Sequence, residues 1–260
     1  MNLLGAMAEK HYNINYLEGT ALVLKNLKEN SYKPFLGINS GIVLDLGCGT
    51  GIDAINLAKA LGPEVKVKGI DHDSVMIGKA IDSSAGVQNV EFLVAEAHPI
   101  PYEDASARGA RAERLLQHLK EPDKLIRDVY RVLQPGSPFV IVETDWSSMS
   151  FYNNDPAVAG KVNAYLTEKK VNKGAVAREL TWNLKASGFQ DIALEVFPFV
   201  VRSVQEIFAY LLIDQSLREM QEKKLLSQSE YEQFLQDLED AEEGNYFACT
   251  LNLIIASAVK

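Results

Sequence analysis

Ile42-Val43-Leu44-Asp45-Leu46-Gly47-Cys48-Gly49-Thr50-Gly51 is an apolar run that ends in an acid and three closely spaced glycines. A short β-branched run before a glycine cluster predicts a buried strand entering a tight turn. The segment after it carries Ile52, Ile55, Leu57, Ala58 and Leu61 at helical spacing, so the turn opens a helix. Glycine has no Cβ, which lets the backbone approach a ligand closely and adopt positive φ. Strand, glycine turn and helix N-terminus in this order form a cradle of the Rossmann kind.

The spacing inside the turn discriminates between ligands. A dinucleotide fingerprint needs G-x-G-x-x-G, which seats a pyrophosphate on the helix N-terminus. This chain has G-x-G-x-G, with Ile52 where the last glycine would stand, and that counts against a nicotinamide oxidoreductase. Val43 to Gly51 instead resembles motif I of the class I S-adenosylmethionine-dependent methyltransferases, close to V-L-D-x-G-C-G-T-G, over nine consecutive positions. In that family the loop packs against the methionine part of the cofactor. The resemblance therefore implies S-adenosyl-L-methionine as cofactor, S-adenosyl-L-homocysteine as product, and Asp45, Gly47, Cys48, Gly49 and Gly51 as cofactor-binding residues.

Composition narrows the partners. A length of 260 residues suits one large α/β domain with an elaboration. A formal net charge of −9 argues against a nucleic-acid partner, because phosphate binding needs a basic face. Cys48 and Cys249 lie far apart and suggest neither a disulfide framework nor a metal site. Met1 to Lys10 lacks the charged start and apolar core of a signal peptide, and no apolar run approaches a membrane span. These features predict a cytoplasmic protein with no membrane partner, and the family resemblance implies a small-molecule substrate. They leave the oligomeric state open.

Beyond the glycine turn, Val65 to Ile70 predicts a second strand that ends in Asp71. A carboxylate about 20 residues past such a turn can accept both ribose hydroxyls of an adenosine. The family places its ribose-binding acid at this position, and His72 would edge the same pocket. Ser74-Val75-Met76-Ile77 resembles the family's S-P-x-M helix start, which adds Met76, while Asp73 reads as the helix cap. After a third strand at Val90–Val94, Glu96 and Ala97 stand where the family often has G-D-A beside the adenine amino group.

The fourth strand departs from the family pattern. Ala107-Arg108-Gly109-Ala110-Arg111-Ala112 is poor in strand formers, and its small residues leave room for a ligand next to Ala112. Glu113-Arg114-Leu115-Leu116-Gln117-His118-Leu119 and Arg131-Val132-Leu133-Gln134-Pro135-Gly136 then restore a resemblance to small-molecule methyltransferases of quinone and natural-product biosynthesis. A fifth strand is expected over 138–142, with a loop at Glu143-Thr144-Asp145-Trp146 facing the crevice. Helices are expected over Lys161–Lys170, Arg178–Ala186 and a long block from Val204 to Glu243, with strands over Asp191–Val201 and Tyr246–Ala258.

The fold this implies is α/β and Rossmann-like. Its seven-stranded sheet is mostly parallel with the last strand antiparallel, helices cover both faces, and helical insertions form a lid. One domain spans 1–260: a helical cap over 1–40, a cofactor-binding core over 41–146, lid segments over 147–187 and 203–243, and closing strands over 188–202 and 244–260.

Methyl transfer from a sulfonium is an in-line displacement, so positioning and water exclusion do most of the work. A base is needed only when the nucleophile carries a proton. His118 is the candidate base, with a structural histidine bonded to a backbone carbonyl as the other reading. Tyr16, Glu113, Asp145 and Trp146 are candidate substrate contacts, with packing on the core rim as the other reading of Tyr12 and Tyr16 and packing in the core that of Trp146. A catalytically silent S-adenosylmethionine-binding regulatory or scaffold protein is the alternative. A filled pocket and an exposed apolar patch would favour it.

Overall fold

The structure is a computed structural model that describes residues 24–152 and 154–260, with the side chains of all of these except Lys170 and Tyr210. Tyr12, Tyr16 and most of the expected N-terminal cap lie outside the described residues. Seven strands form one sheet: β1 (Gly41–Leu46), β2 (Val65–Asp71), β3 (Val90–Val94), β4 (Gly109–Glu113), β5 (Pro138–Phe151), β6 (Gln190–Val201) and β7 (Cys249–Val259). Their order is β3-β2-β1-β4-β5-β7-β6. β1 to β5 pair in parallel, and β7 runs antiparallel between β5 and β6. The Rossmann-like sheet expected from the sequence is present with its antiparallel last strand in place.

Parallel strands need crossovers, and the helices that supply them bury apolar stripes on the two faces. Helices α1 (Lys25–Tyr32), α2 (Ile52–Leu61) and α3 (Ser74–Ser83) belong to one face. Leu27, Ile55 and Leu57 there meet Val43, Val67, Val140 and Val142 of the sheet. Helices α4 (Pro122–Val132) and α6 (Val176–Ala186) cover the other, where Leu125, Val129, Leu180 and Leu184 meet Leu44, Leu46, Phe139 and Ile141. Asp73 caps α3 by accepting from the amides of Val75 and Met76.

A second core lies beyond the ends of β5, β6 and β7. Helices α5 (Pro156–Tyr165), α7 (Val204–Leu211), α8 (Ile213–Glu222) and α9 (Gln228–Glu243) pack there on Phe151, Val201, Cys249 and Leu251. The single helical block expected over 204–243 is three helices. Leu212 breaks it at a φ of +53°, and Lys224, at +58°, lies in the turn that separates α8 from α9. The segment 147–187 divides between the two cores, since α6 packs on the sheet and α5 in the second core.

β5 differs most from its expected form. The loop predicted after Val142 is strand as far as Phe151, because β7 pairs with it from Pro138↔Val259 to Phe151↔Cys249 around one irregularity between Asp145 and Ser150. β7, a strand of 11 residues, supplies a partner long enough to extend the whole hairpin-like pair. Among the described residues, no helix is long and apolar enough to cross a membrane.

Asn89 ties the β2 side together. Its buried amide donates to the carbonyls of Ala58 (2.8 Å), Gly62 (2.8 Å) and Val65 (3.1 Å), joining the end of α2 to the start of β2. Asn89→Ala strands those carbonyls, and urea unfolding is expected to read a loss of about 1–3 kcal/mol. A wild-type midpoint would mean that water replaces the amide.

Candidate cofactor and acceptor site

The strand order reverses between β1 and β4, and ligands of open α/β sheets bind outside the strand ends at such a point. Two segments flank it: the glycine turn leaving β1 at Leu46, and the turn leaving β4 at Glu113. The amides of Gly47 and Cys48 donate to the Ile70 carbonyl at 2.8 and 3.0 Å, which folds the glycine turn against the end of β2. Gly47, Gly49 and Gly51 have φ of +67°, +52° and +76°. A Cβ on Gly51 would stand 2.6 Å from the Phe92 ring and 2.7 Å from Ala80. Both backbone angle and space therefore require glycine there.

Asp71 braces this turn. One carboxylate oxygen accepts the Gly49 amide and the other the Asp73 amide, each at 2.9 Å. A carboxylate has about four acceptor positions, so two remain for a ligand. His72 is exposed, with Nδ1 3.3 Å from the Asp71 carboxylate. Met76 is buried at the start of α3, Glu96 is exposed, and Ala97 is half-buried beyond β3. Burial pushes the Cys48 thiol well above its ordinary range, so it stays protonated and unreactive.

Behind the turn lies a cluster that the sequence reading did not anticipate. Arg111, at the middle of β4, is 1% exposed and points to the α1 and α2 face. Its guanidinium meets Asp45 at 3.4 Å and Asp53 at 3.5 Å, bonds Glu113, and donates to the Ser31 hydroxyl at 3.1 Å. Lys28 from α1 reaches the same acids, 2.5 Å from Asp53 and 2.7 Å from Glu113. Tyr32 bonds Asp53 and lies beneath the guanidinium, 5.3 Å from ring centroid to Cζ.

Three carboxylates thus share two fully buried cations, with Arg114 adding a third at 3.3 Å from Glu113. Burial opposes ionisation of Glu113, but Lys28, Arg111 and Arg114 outweigh it and hold its carboxyl well below the usual range. Asp45 lies deepest. Burial pushes it up to about 7 against the pull of Arg111, and its Oδ2 has no partner among the described residues.

The small residues of β4 therefore leave no room for a ligand, contrary to expectation. Gly109 admits the Phe35 ring, 2.9 Å from where a Cβ would stand, and Arg111 fills the rest of that face. Ala112 points the other way into the apolar core, so only its backbone borders the switch point. An arginine in a predicted central strand was the available signal, since a buried guanidinium demands acids on the neighbouring elements.

The second segment carries the candidate acceptor residues. His118 is half-buried at the end of a 3-10 turn over Leu116–His118, and its carbonyl accepts from Asn172 at 2.6 Å. Gln117 accepts the Trp146 indole N–H at 2.6 Å, and its carbonyl accepts the Lys173 amide at 2.9 Å. Trp146 is buried in the second core. Asp145 is paired with Arg178 at 3.2 Å, and Glu113 faces the Arg111 cluster. The three described substrate candidates are therefore dispersed over three environments. Glu143, which sequence reasoning missed, is fully buried under the turn and accepts the Leu116 amide at 2.6 Å. Burial pushes its carboxyl up to about 8.

Comparison with known proteins bears on this architecture. The family model Methyltransf_31, a methyltransferase domain, matches residues 39–236. The chain belongs to the methyltransferase family, with the sheet architecture of its class I S-adenosylmethionine-dependent members. It is 36% identical over 146 residues to an uncharacterized 37.1 kDa protein of transposon TN4556 from Streptomyces fradiae, covering 56% of this chain and 42% of that protein. It is 32% identical over 112 residues to a demethylmenaquinone methyltransferase of Lactococcus lactis, covering 42% and 44%. The match thus spans less than half the length of these curated relatives. Phosphoethanolamine N-methyltransferase 2 of Haemonchus contortus, crystallised with phosphomonomethylethanolamine and S-adenosylhomocysteine, shares the fold at a TM-score of 0.61 and 19% identity, covering 97% of this chain and 59% of that one.

Two outcomes follow from the buried charges. Lys28→Met leaves Asp53 and Glu113 short of a cation, and thermal or urea unfolding is expected to show a loss of about 3–5 kcal/mol. The double variant with Glu113→Gln should recover part of it, and a silent Lys28→Met would mean that the cluster is hydrated. For Glu143 the folded protein retains, up to about pH 8, a proton that the unfolded chain releases near its ordinary value of about 4.3. Its contribution makes stability fall as pH rises through that window. Glu143→Gln should flatten the decline in Tm between about pH 5 and 8.

Proposed function

We propose that this chain transfers a methyl group from S-adenosyl-L-methionine to an oxygen, nitrogen or carbon nucleophile of a small molecule by in-line displacement, in the cytoplasm. The observation that carries this reading is the Asp71 carboxylate, fixed across the glycine turn by the Gly49 and Asp73 amides at 2.9 Å with acceptor capacity left over. The residues fit the cofactor: a turn closed to any side chain at Gly51, an acid for the ribose at its edge, and a mouth bordered by Glu113.

In this reading Gly47, Cys48 and Gly49 line the methionine end, with Asp45 beneath. Asp71 takes the ribose hydroxyls, with His72, Met76, Glu96 and Ala97 around the adenine side. The backbone at Ala112 borders the site from β4. The bound cofactor supplies a methyl group already activated by the sulfonium charge. The chain's own task is to hold the acceptor in line, exclude water and, where the acceptor bears a proton, take it at the His118 imidazole. Trp146 through its bond to Gln117 and Asp145 through Arg178 act on the acceptor side indirectly, and Glu113 borders the mouth from β4. The quinone substrate in the name of the Lactococcus lactis relative makes small phenols and quinols the first acceptors to try.

One observation stands on the side of the silent-binder alternative. The edge strand β6 exposes Leu194, Val196 and Val200 by 47%, 53% and 56%, a contiguous apolar stripe that suits a protein partner. Calorimetric titration with S-adenosylmethionine, S-adenosylhomocysteine and NAD as control tests the common premise, and methyl transfer to a panel of small phenols, amines and quinols separates the two. Binding of the first two ligands alone is expected. Asp71→Ala should weaken it by about 1–3 kcal/mol, roughly five- to 150-fold. Unchanged affinity would remove Asp71 from the ribose role. His118→Ala should lower turnover without altering cofactor affinity, and parallel losses of turnover and stability would make the histidine structural.

A further inference from the structure

The turn leaving β4 combines a left-handed backbone at its first residue with a buried acid beneath it. Arg114 adopts a φ of +49°, a left-handed angle uncommon for any residue but glycine, while its amide bonds the Val142 carbonyl at 2.7 Å. Backbone strain of this sort persists only where the surroundings over-determine it. One residue further along β5, Glu143 is 0% exposed, with Oε1 accepting the Leu116 amide at 2.6 Å and Oε2 meeting no donor among the described residues. A half-satisfied carboxyl out of water is costly, and an apolar residue ending the run Phe139–Val142 would bring no such cost.

We infer that Glu143 is a positioning residue: it fixes the backbone of Leu116–His118 and thereby the direction in which His118 faces the acceptor. The strained residue before the turn and the buried acid beneath it converge on the same few amides. The acid acts through the turn, since its own oxygens are sealed from the crevice. The catalytic part of this inference rests on the methyl-transfer reading, whereas the ordering of the turn does not.

The test uses the full chain and two variants. Glu143→Gln keeps an oxygen able to accept the Leu116 amide, and Glu143→Met removes it at similar volume. In Glu143→Met, hydrogen exchange of the Leu116–His118 amides should accelerate about tenfold or more while Tm does not fall. Turnover of the best acceptor from the phenol, amine and quinol panel should drop about tenfold, with KM for S-adenosylmethionine unchanged. Glu143→Gln should restore both readouts. Three results would overturn the inference: wild-type exchange in Glu143→Met, faster exchange throughout β4 and β5 with a lower Tm, or glutamine as damaging as methionine. Should wild type methylate nothing while the exchange pattern holds, the functional reading fails and the positioning of the turn stands.

Discussion

A guanidinium in the middle of a β-sheet has to be neutralised where it lies, and Arg111 imposes that requirement on the whole cofactor end of this protein. Desolvating such an ion costs several kcal/mol unless partners surround it. Asp45 of β1, Asp53 of α2 and Glu113 of β4 supply the charge, and Ser31 of α1 accepts from Nε. Their number then demands a second cation, which Lys28 brings from α1. Helix α1 is therefore docked by electrostatics as much as by Leu27, and its following Phe35 closes on Gly109. Four elements are tied by a cluster in which each member would be stranded by the loss of another.

The consequence for the crevice is a rigid rear wall. The glycine turn cannot move outward without disturbing Asp45 and Asp53, which stand at either end of it and are both engaged by Arg111. It cannot move inward, because Gly51 already touches Phe92 and Ala80. A cradle fixed from both sides requires little reorganisation when a ligand arrives, which is the condition for affinity without a large ordering cost. The same wall explains why β4 needs small residues on both faces: alanines fit the apolar core under α4, and glycine admits Phe35 beside the arginine.

The fold was legible where local chemistry and tertiary role agree. The run Ile42–Leu46, the glycines after it and the acid at Asp71 each announce strand, turn and strand end in their own composition, and the boundaries fall within a residue of expectation. What could not be read depended on partners distant in sequence. β5 extends to Phe151 because β7, about a hundred residues later, is long enough to pair with it. Asp45, named as a cofactor contact by resemblance, has its carboxylate beside Arg111 beneath the turn, and pairing across 66 positions leaves no local trace. Trp146 and Asp145 are neighbours in sequence but are held by different units, the second core and α6, so reading them as one loop merged two environments.

The turn leaving β4 is built on the opposite plan. It is held by single hydrogen bonds from separate units: Glu143 from the sheet to Leu116, Trp146 from the second core to Gln117, and Asn172 and Lys173 to the carbonyls of His118 and Gln117. Individual bonds of this kind each contribute about 1 kcal/mol, so it takes several together to hold the turn, whereas breaking one pair of the Arg111 cluster costs about 3–5 kcal/mol. Gly174 marks how closely the connecting loop folds back, since a Cβ there would stand 2.3 Å from the Thr167 carbonyl. The bond from Trp146 to Gln117 joins the second core to the residue before His118 without involving the glycine turn. The cradle and the turn are thus held by different means, the first by charges gathered around Arg111 and the second by bonds from distant segments that local pattern does not reveal.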